Sequence, residues 1–527
     1  MTGEQRRLLV AILVPLFMSL LSISIVNVTL PTMQTSLDAS DSAIQWVLSG
    51  YTLAFGVVLV AAGRAGDLLG RGRLFIAGLI LFGLGSLVSG LAPSPLILNI
   101  GRLVMGLGSG LLSPQGVGMI QQYFAGKARG VAFGMFGTVV GVSVAIGPVL
   151  GGLLVLGFGE EWGWRASLLI NVPIALIAMV VGRIWLPATA WSGPASAAPP
   201  AEPAATSAAT APRRRRPKAD LDPVGAVILA IATLLIMLPF LERGAGAWIY
   251  LLIVLGVTVV GVWFEWEKRY AARGRAPMVD PQLFRTPSFS YGATISSVFF
   301  LGLTSVWVIS ALYLQNGLGF SALDSGLMGL PSAVLAAVVP QITGRIVFTY
   351  GRKLVVAGIG VALVGVAGCI GVVLLEASHG LNAWWLMLTL SFIGVSQGMV
   401  ISPNQTLTLA EVPVEYAGSS SGVMQTGQRV GTAIGIAIIT AVFFIGLQRS
   451  GYTTAFVAAY VGIGVFIALA GVVGAIDLAT GHARRRPVRE HRQALAQPAD
   501  VAQYQGVADS GAVPPTPDGR RGQHADS

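Results

Sequence analysis

The sequence predicts an all-α integral membrane protein. Two related six-helix bundles flank an extra two-helix hairpin, for fourteen transmembrane helices. Three observations carry this. The chain is 54% hydrophobic and only 11% charged, where a soluble domain has roughly 25% charged residues. Apolar runs of about 20 residues, the length that crosses a bilayer, recur along nearly the whole chain. A basic, glycine-bearing turn between apolar runs occurs once per half. It reads Gly63-Arg64-Ala65-Gly66-Asp67-Leu68-Leu69-Gly70-Arg71-Gly72-Arg73 and then Gly344-Arg345-Ile346-Val347-Phe348-Thr349-Tyr350-Gly351-Arg352-Lys353. Such a recurrence is the sign of internal structural repeats around a central cavity.

The expected spans follow in order. Residues 1–186 form the N-terminal bundle, with spans 8–30, 44–63, 74–92, 95–120, 130–156 and 166–186. Residues 223–266 form the hairpin, with spans 223–241 and 248–266, and a cytoplasmic loop follows at 267–288. Residues 289–480 form the C-terminal bundle, with spans 289–314, 325–348, 354–375, 382–408, 418–446 and 453–477. The connection 187–222 is rich in Ala, Pro and Ser and ends in Arg213-Arg214-Arg215-Arg216-Pro217-Lys218, a composition expected to be disordered, as is the polar tail 481–527. The first span lacks a small-residue cleavage site and is expected to remain uncleaved.

Charge sets the orientation. Of 33 Lys and Arg, 28 fall in the N-tail, the even-numbered connections and the C-tail. The opposite connections hold only Arg165, Arg243 and Arg449, while Arg102 and Arg429 lie within spans. Both termini are therefore expected in the cytoplasm. The net charge of +10 reads as topological signal and contact with anionic membrane lipid, not as a nucleic-acid surface. The single cysteine, Cys369, allows no intramolecular disulfide and no metal site. No cofactor is expected, and a monomer is the default.

Repeat traces join the halves. Ser113-Pro114-Gln115 is echoed by Ser402-Pro403-Asn404, and Gly137 and Gly141 by Gly427 and Gly431.

The chain resembles the major facilitator superfamily, in particular its fourteen-span drug:proton antiporter branch, over roughly residues 8–480. Gly63–Arg73 resembles the signature loop between spans two and three. Arg102-Leu103-Val104-Met105-Gly106-Leu107-Gly108 resembles the span-four arginine motif. Gly147-Pro148-Val149-Leu150-Gly151-Gly152 resembles the exporter motif of span five, the most specific signal here. Trp164-Arg165, Asn171-Val172-Pro173 and Ile25-Val26-Asn27-Val28-Thr29-Leu30-Pro31 stand at the spacing of that branch. Three positions depart from it. Ser22 stands where the first-span signature carries an acid, Met105 where span four carries a glutamine, and Phe348 where the first loop element has Asp67. The resemblance implies efflux of small amphiphilic substrates, antibiotic resistance, and antiport against protons; Ser22 weakens that last implication.

The residues suggest roles of their own. Asp67 and Arg71, with Arg64 and Arg73, suit an ion-pair lock at the cytoplasmic face, and the second element, lacking the acid, should lock differently. Gly147-Pro148 removes a backbone donor in mid-membrane, and Gly151 and Gly152 permit close helix approach. Arg102 lies roughly 10 Å deep and Arg429 roughly 18 Å deep. An intramembrane arginine costs at least ~2.5 kcal/mol, so each should face a cavity or a partner. None of the 23 carboxylates falls in the middle of a span, and the four histidines all lie in loops or the tail. Asp41 and Asp324 at the outer mouth, and Asp67 inside, are then the titratable coupling or gating candidates, with Arg71 and Arg102. Asn27, Gln115, Asn404 and Gln425, with Arg429, are the substrate-cavity candidates. Two arginines without a central acid suit neutral, zwitterionic or anionic amphiphiles. Three readings compete: a proton-coupled exporter, an uncoupled facilitator or importer, and a transport-dead membrane sensor or scaffold. No nucleophile, metal or phosphate-loop pattern indicates an enzyme.

Overall fold

The computed structural model describes residues 1–192, 221–241 and 246–480. The expectations for 193–220 and 481–527 lie outside the described residues.

Helix α1 (Gly3–Leu37) opens with a capping box, in which the Gln5 amide donates to Thr2 Oγ1 and the Thr2 amide to Gln5 Oε1. It ends at Asp38 in the left-handed region. Ser40 caps α2 (Asp41–Leu69), and α3 (Arg71–Gly90), α4 (Pro95–Tyr123), α5 (Gly126–Leu169) and α6 (Asn171–Trp185) follow. The middle pair is α7 (Pro223–Leu241) and α8 (Leu251–Ala272). The last set is α9 (Pro287–Leu312), α10 (Ala322–Tyr350), α11 (Arg352–His379), α12 (Leu386–Thr408) and α13 (Ala417–Ala479). The two glycine-arginine elements fold alike. Gly70, with φ 104°, joins α2 to α3, and Gly351, with φ 54°, joins α10 to α11. Only glycine takes such angles without strain, which explains the Gly-Arg pair at both places.

Among the described residues, twelve helical stretches are long and apolar enough to cross a membrane. Two are much longer than one crossing. Gly126–Trp185 has 60 residues and Val414–Ala479 has 66. Each is broken by a glycine with positive φ, Gly159 in the first and Gly451 in the second.

Two apolar cores form. One is built mainly from α1–α6, around Tyr51, Phe75, Phe82, Phe133 and Trp164. The other is built from α9–α13, around Phe299, Tyr313, Phe456 and Tyr460. Between them, small residues let backbones meet. A Cβ on Gly63 would strike the backbone of Gly418 and Ser419, and one on Gly422 would lie 2.7 Å from Leu59 O. Gly130 and Gly344 abut, and Gly141 meets Ala336 and Ala337. The α2–α13 and α5–α10 contacts are thus glycine seams, the packing expected where lipid supplies no hydrophobic drive.

Two boundaries differ from the expectation, and the glycine echo gains a detail. The ends of the 187–222 connection have defined structure: Ala188–Ala190 forms a 3₁₀ turn with Ala190 against Gly72 and Trp191 against Gly70, and Asp222 caps α7 by accepting from Gly225 N at 3.0 Å. Helix α8 continues to Ala272, into the expected 267–288 loop, and there Glu267 is fully buried and accepts from Met278 N at 2.9 Å. The glycine echo holds in spacing but not in surroundings. Gly137 and Gly141 pack on α10, whereas Gly427 and Gly431 pack on Ser297 of α9.

Candidate functional site

The connections α2–α3, α4–α5, α10–α11 and α12–α13 share one face of the molecule, the basic face. There Asp67, at 1% exposure, is the centre of a seam between the halves. Helix α13 begins at Ala417 with no side-chain cap of its own, which leaves its first amides without acceptors. Asp67 supplies them from across the seam. Its Oδ1 accepts from Gly418 N at 2.9 Å, and its Oδ2 accepts from Ser419 N at 2.9 Å and Ser419 Oγ at 3.1 Å. A carboxylate at the positive end of a helix is stabilised by the helix dipole as well.

Arg71 fixes that carboxylate from behind, with Nη2 2.8 Å from Asp67 Oδ1. The same guanidinium donates to Gly118 O at 3.0 Å, Gln122 Oε1 at 2.6 Å and, across the seam, Val414 O at 2.5 Å. Gln121 adds a second clasp, with Nε2 donating to Leu409 O at 2.9 Å and Val412 O at 2.8 Å. Side chains of α2, α3 and α4 therefore hold the α12–α13 connection shut. Of the remaining loop arginines, Arg73 is exposed and Arg64 is buried without an ion pair to Asp67 among the described residues.

The second element is wired differently. Phe348 offers no acid, and Arg352 pairs instead with Asp477 near the end of α13, Nε to Oδ2 at 2.7 Å. Arg352 also donates to Asn404 Oδ1 and to Ser288 O at 2.8 Å, while Asn404 Nδ2 reaches Gly292 O at 2.8 Å. This ring ties α9, α11, α12 and α13 together within one half and does not cross the seam.

The exporter-like motif packs on α1. Pro148 has no N–H, so the carbonyl four residues earlier, Val144 O, loses its helical donor. Ser24 Oγ of α1 donates to it at 3.1 Å. Gly147 lies directly on Ser24, and Gly151 lies on Ile25 O at 3.2 Å from a would-be Cβ. Gly152 has open space around it.

The amide candidates do not converge. Gln115 and Asn404, equivalent in the repeat, both lie towards the basic face. Gln115 Nε2 donates to Ala62 O at 2.7 Å beside Gly66. Gln425 bridges the halves by accepting from Ser113 Oγ, and within α13 it donates to Ser421 Oγ at 2.8 Å. Asn27 is exposed on α1. Arg429, one turn beyond Gln425, is partly exposed and lies over the Phe55 ring at 4.4 Å. Arg102 is fully buried over the Tyr51 ring at 4.3 Å, with Nε donating to Val47 O at 3.0 Å. Asp41 is exposed and accepts from Gln34 Nε2 at 2.7 Å, and Asp324 forms a capping box with Ser321. A cavity of about 190 Å³ between α1, α5 and α10 includes Thr138, Gln341 and Arg345 but none of the candidates. It is smaller than the usual ligand pocket of about 300 Å³ or more.

Gln121, Ser24, Tyr51, Phe55 and Asp477 were not singled out from the sequence. One signal was available: Asp477 is the lone acid of the last span. The others take their meaning from neighbours distant in the chain.

A helical membrane protein whose halves meet in a small-residue seam, clasped at one face by side chains of α2–α4, is built as a transporter. The description "Major Facilitator Superfamily" matches residues 12–436, and the chain belongs to that superfamily. It is a secondary transporter, not an enzyme. It is 34% identical over 443 residues to the "Probable actinorhodin transporter" of Streptomyces coelicolor, covering 83% of this chain and 72% of that protein. It is 30% identical over 460 residues to "Puromycin resistance protein pur8" of Streptomyces alboniger, covering 85% and 83%. Among solved structures, the human organic anion transporter MFSD10 shares the fold, with TM-score 0.61 at 16% identity, covering 90% of this chain and all of that one.

Proposed function

We propose that the protein exports amphiphilic drugs or secondary metabolites across a bacterial cytoplasmic membrane by alternating access, with protons entering in exchange. The observation that carries this is Asp67 capping α13 from the opposite half. A contact that holds one face shut through a few hydrogen bonds is one that a rocking motion of the halves makes and breaks. Relatives named for actinorhodin transport and puromycin resistance support the substrate class.

The basic face is the cytoplasmic face in this reading, and the lock closes it. Each of the stretches of 60 and 66 residues counts as two spans, split near Gly159 and Gly451, which brings the total to the fourteen of the drug:proton branch. The bundles 1–186 and 289–480 rock against each other, and α7–α8 is the inserted hairpin.

One observation favours a second reading, a facilitator without proton coupling. Arg102 Nη1 faces the Ser22 hydroxyl at 3.4 Å rather than a carboxylate, so among the described residues no acid pairs with the span-four arginine to take the proton. Proteoliposomes separate the two. With a pH gradient imposed, substrate-triggered proton release establishes antiport, with Asp41, Asp67 and Asp324 as the groups to test. Substrate movement with no proton signal establishes the facilitator.

A further inference from the structure

We infer that α2 and α13 form a binding site for planar aromatic anions, that is, aromatic rings bearing a carboxylate or phenolate. This deepens the exporter reading above and rests on it for its physiological meaning.

Tyr51 and Phe55 stand one turn apart on α2, with ring centroids 6.2 Å apart. Each carries a guanidinium on its ring. Arg102 of α4 lies 4.3 Å from the Tyr51 centroid and Arg429 of α13 lies 4.4 Å from the Phe55 centroid. Tyr51 is fixed in place through its hydroxyl, 2.6 Å from Ser109 Oγ. Neither arginine belongs to an ion pair among the described residues. Arg102 Nη2 is buried with no hydrogen-bond partner. The array Arg-Tyr-Phe-Arg therefore places two positive charges deep in the membrane with no negative charge to match, and what it lacks is an anion.

The two arginines divide the work. Arg102 is fully buried and acts through its field. Arg429 is partly exposed and is the group that touches a ligand. Phe55 occupies one face of its guanidinium. Its planar N–H edge, which makes no ion pair among the described residues, can take both oxygens of a carboxylate, and the attached rings of a ligand can extend along the α2–α13 contact. A lipophilic cation meets the repulsion of both guanidinium groups, which already occupy the aromatic faces.

The test uses the full chain in lipid nanodiscs and three matched probes: 2-naphthoate, neutral 2-naphthamide and cationic 2-naphthyltrimethylammonium. Binding is read by titration calorimetry. Naphthoate should bind at least tenfold more tightly than either of the others. Arg429→Gln should remove that preference while changing naphthamide binding less than threefold, and Arg429→Lys should keep part of it. Ser22→Asp, whose carboxylate would face Arg102 Nη1, should weaken naphthoate at least threefold and strengthen the cation. Because Ser22→Asp restores a counter-charge, the test does not depend on an arginine variant folding. Absent naphthoate binding, equal binding of the three probes, preference for the cation, or a preference that survives Arg429→Gln overturns the inference. Naphthoate binding without efflux from proteoliposomes leaves the site standing and removes the exporter reading. Efflux with a cation preference does the reverse.

Discussion

Replacing Asp67 by asparagine tests the seam directly. The carboxylate accepts three hydrogen bonds from the other half and is buried beside Arg71. Asparagine keeps the shape and one acceptor oxygen but turns an NH₂ group towards a backbone amide and removes the charge. Hydrogen bonds to charged groups are worth about 1.5–3 kcal/mol each, and the helix-end charge up to ~2 kcal/mol. Because one acceptor survives, the closed state should lose about 2–3 kcal/mol against the open one. At 1.4 kcal/mol per decade that is a roughly 30- to 140-fold shift. The readout is thiol labelling of Ser420→Cys in a Cys369→Ser background. Ser420 is fully buried just under the seam, and Cys369 is the only native thiol. In nanodiscs, where a maleimide reaches both faces, labelling should accelerate by that factor in Asp67→Asn and stay unchanged in Asp41→Asn. An unchanged rate in a normally folded Asp67→Asn protein would refute the assignment of Asp67 as the closing contact.

Other consequences follow from the same geometry. Arg71→Lys keeps the charge but cannot serve Gly118 O, Gln122, Val414 O and Asp67 together, so it should raise Ser420→Cys labelling as Asp67→Asn does. Asp477→Asn breaks a buried ion pair, which costs about 3–5 kcal/mol, and should lower thermal stability without the large labelling change of Asp67→Asn, since its ring stays within one half. Ser24→Ala leaves Val144 O unpaired at a cost of about 1–3 kcal/mol, read as a lower melting temperature in detergent. Gly147→Ala drives a Cβ into Ser24 and should be the more damaging of that pair, with loss of transport as the readout.

Much of the architecture was legible because lipid imposes it. A span must satisfy its own backbone hydrogen bonds, so apolar length alone marks the helices, and the Gly-Arg pairs marked two turns whose positive φ angles recur. Asp67 and Arg71 could be picked out as a pair because they are four residues apart on one helix–turn. What Asp67 closes upon could not, since α13 is far away in the chain and its bare N-terminus matters only once the halves are docked. The amides were legible only as polar groups at a shared repeat position. Their partners were not: Gln115 Nε2 donates to Ala62 O and Asn404 Nδ2 to Gly292 O, each inside its own half.

The sequence by itself determined that this is a polytopic helical membrane protein with a duplicated basic turn, because hydrophobic length, charge placement and glycine requirements are local properties; the superfamily came from the resemblance of its motifs. The tertiary structure decided that the two turns do different work. Arg71 and Asp67 reach across to the other half, whereas Arg352 borrows Asp477 and stays within its own. It also decided that two membrane arginines rest on one pair of aromatic rings. Buried charges are governed by whatever packs within a few ångströms of them, and that neighbourhood exists only after distant helices have come together.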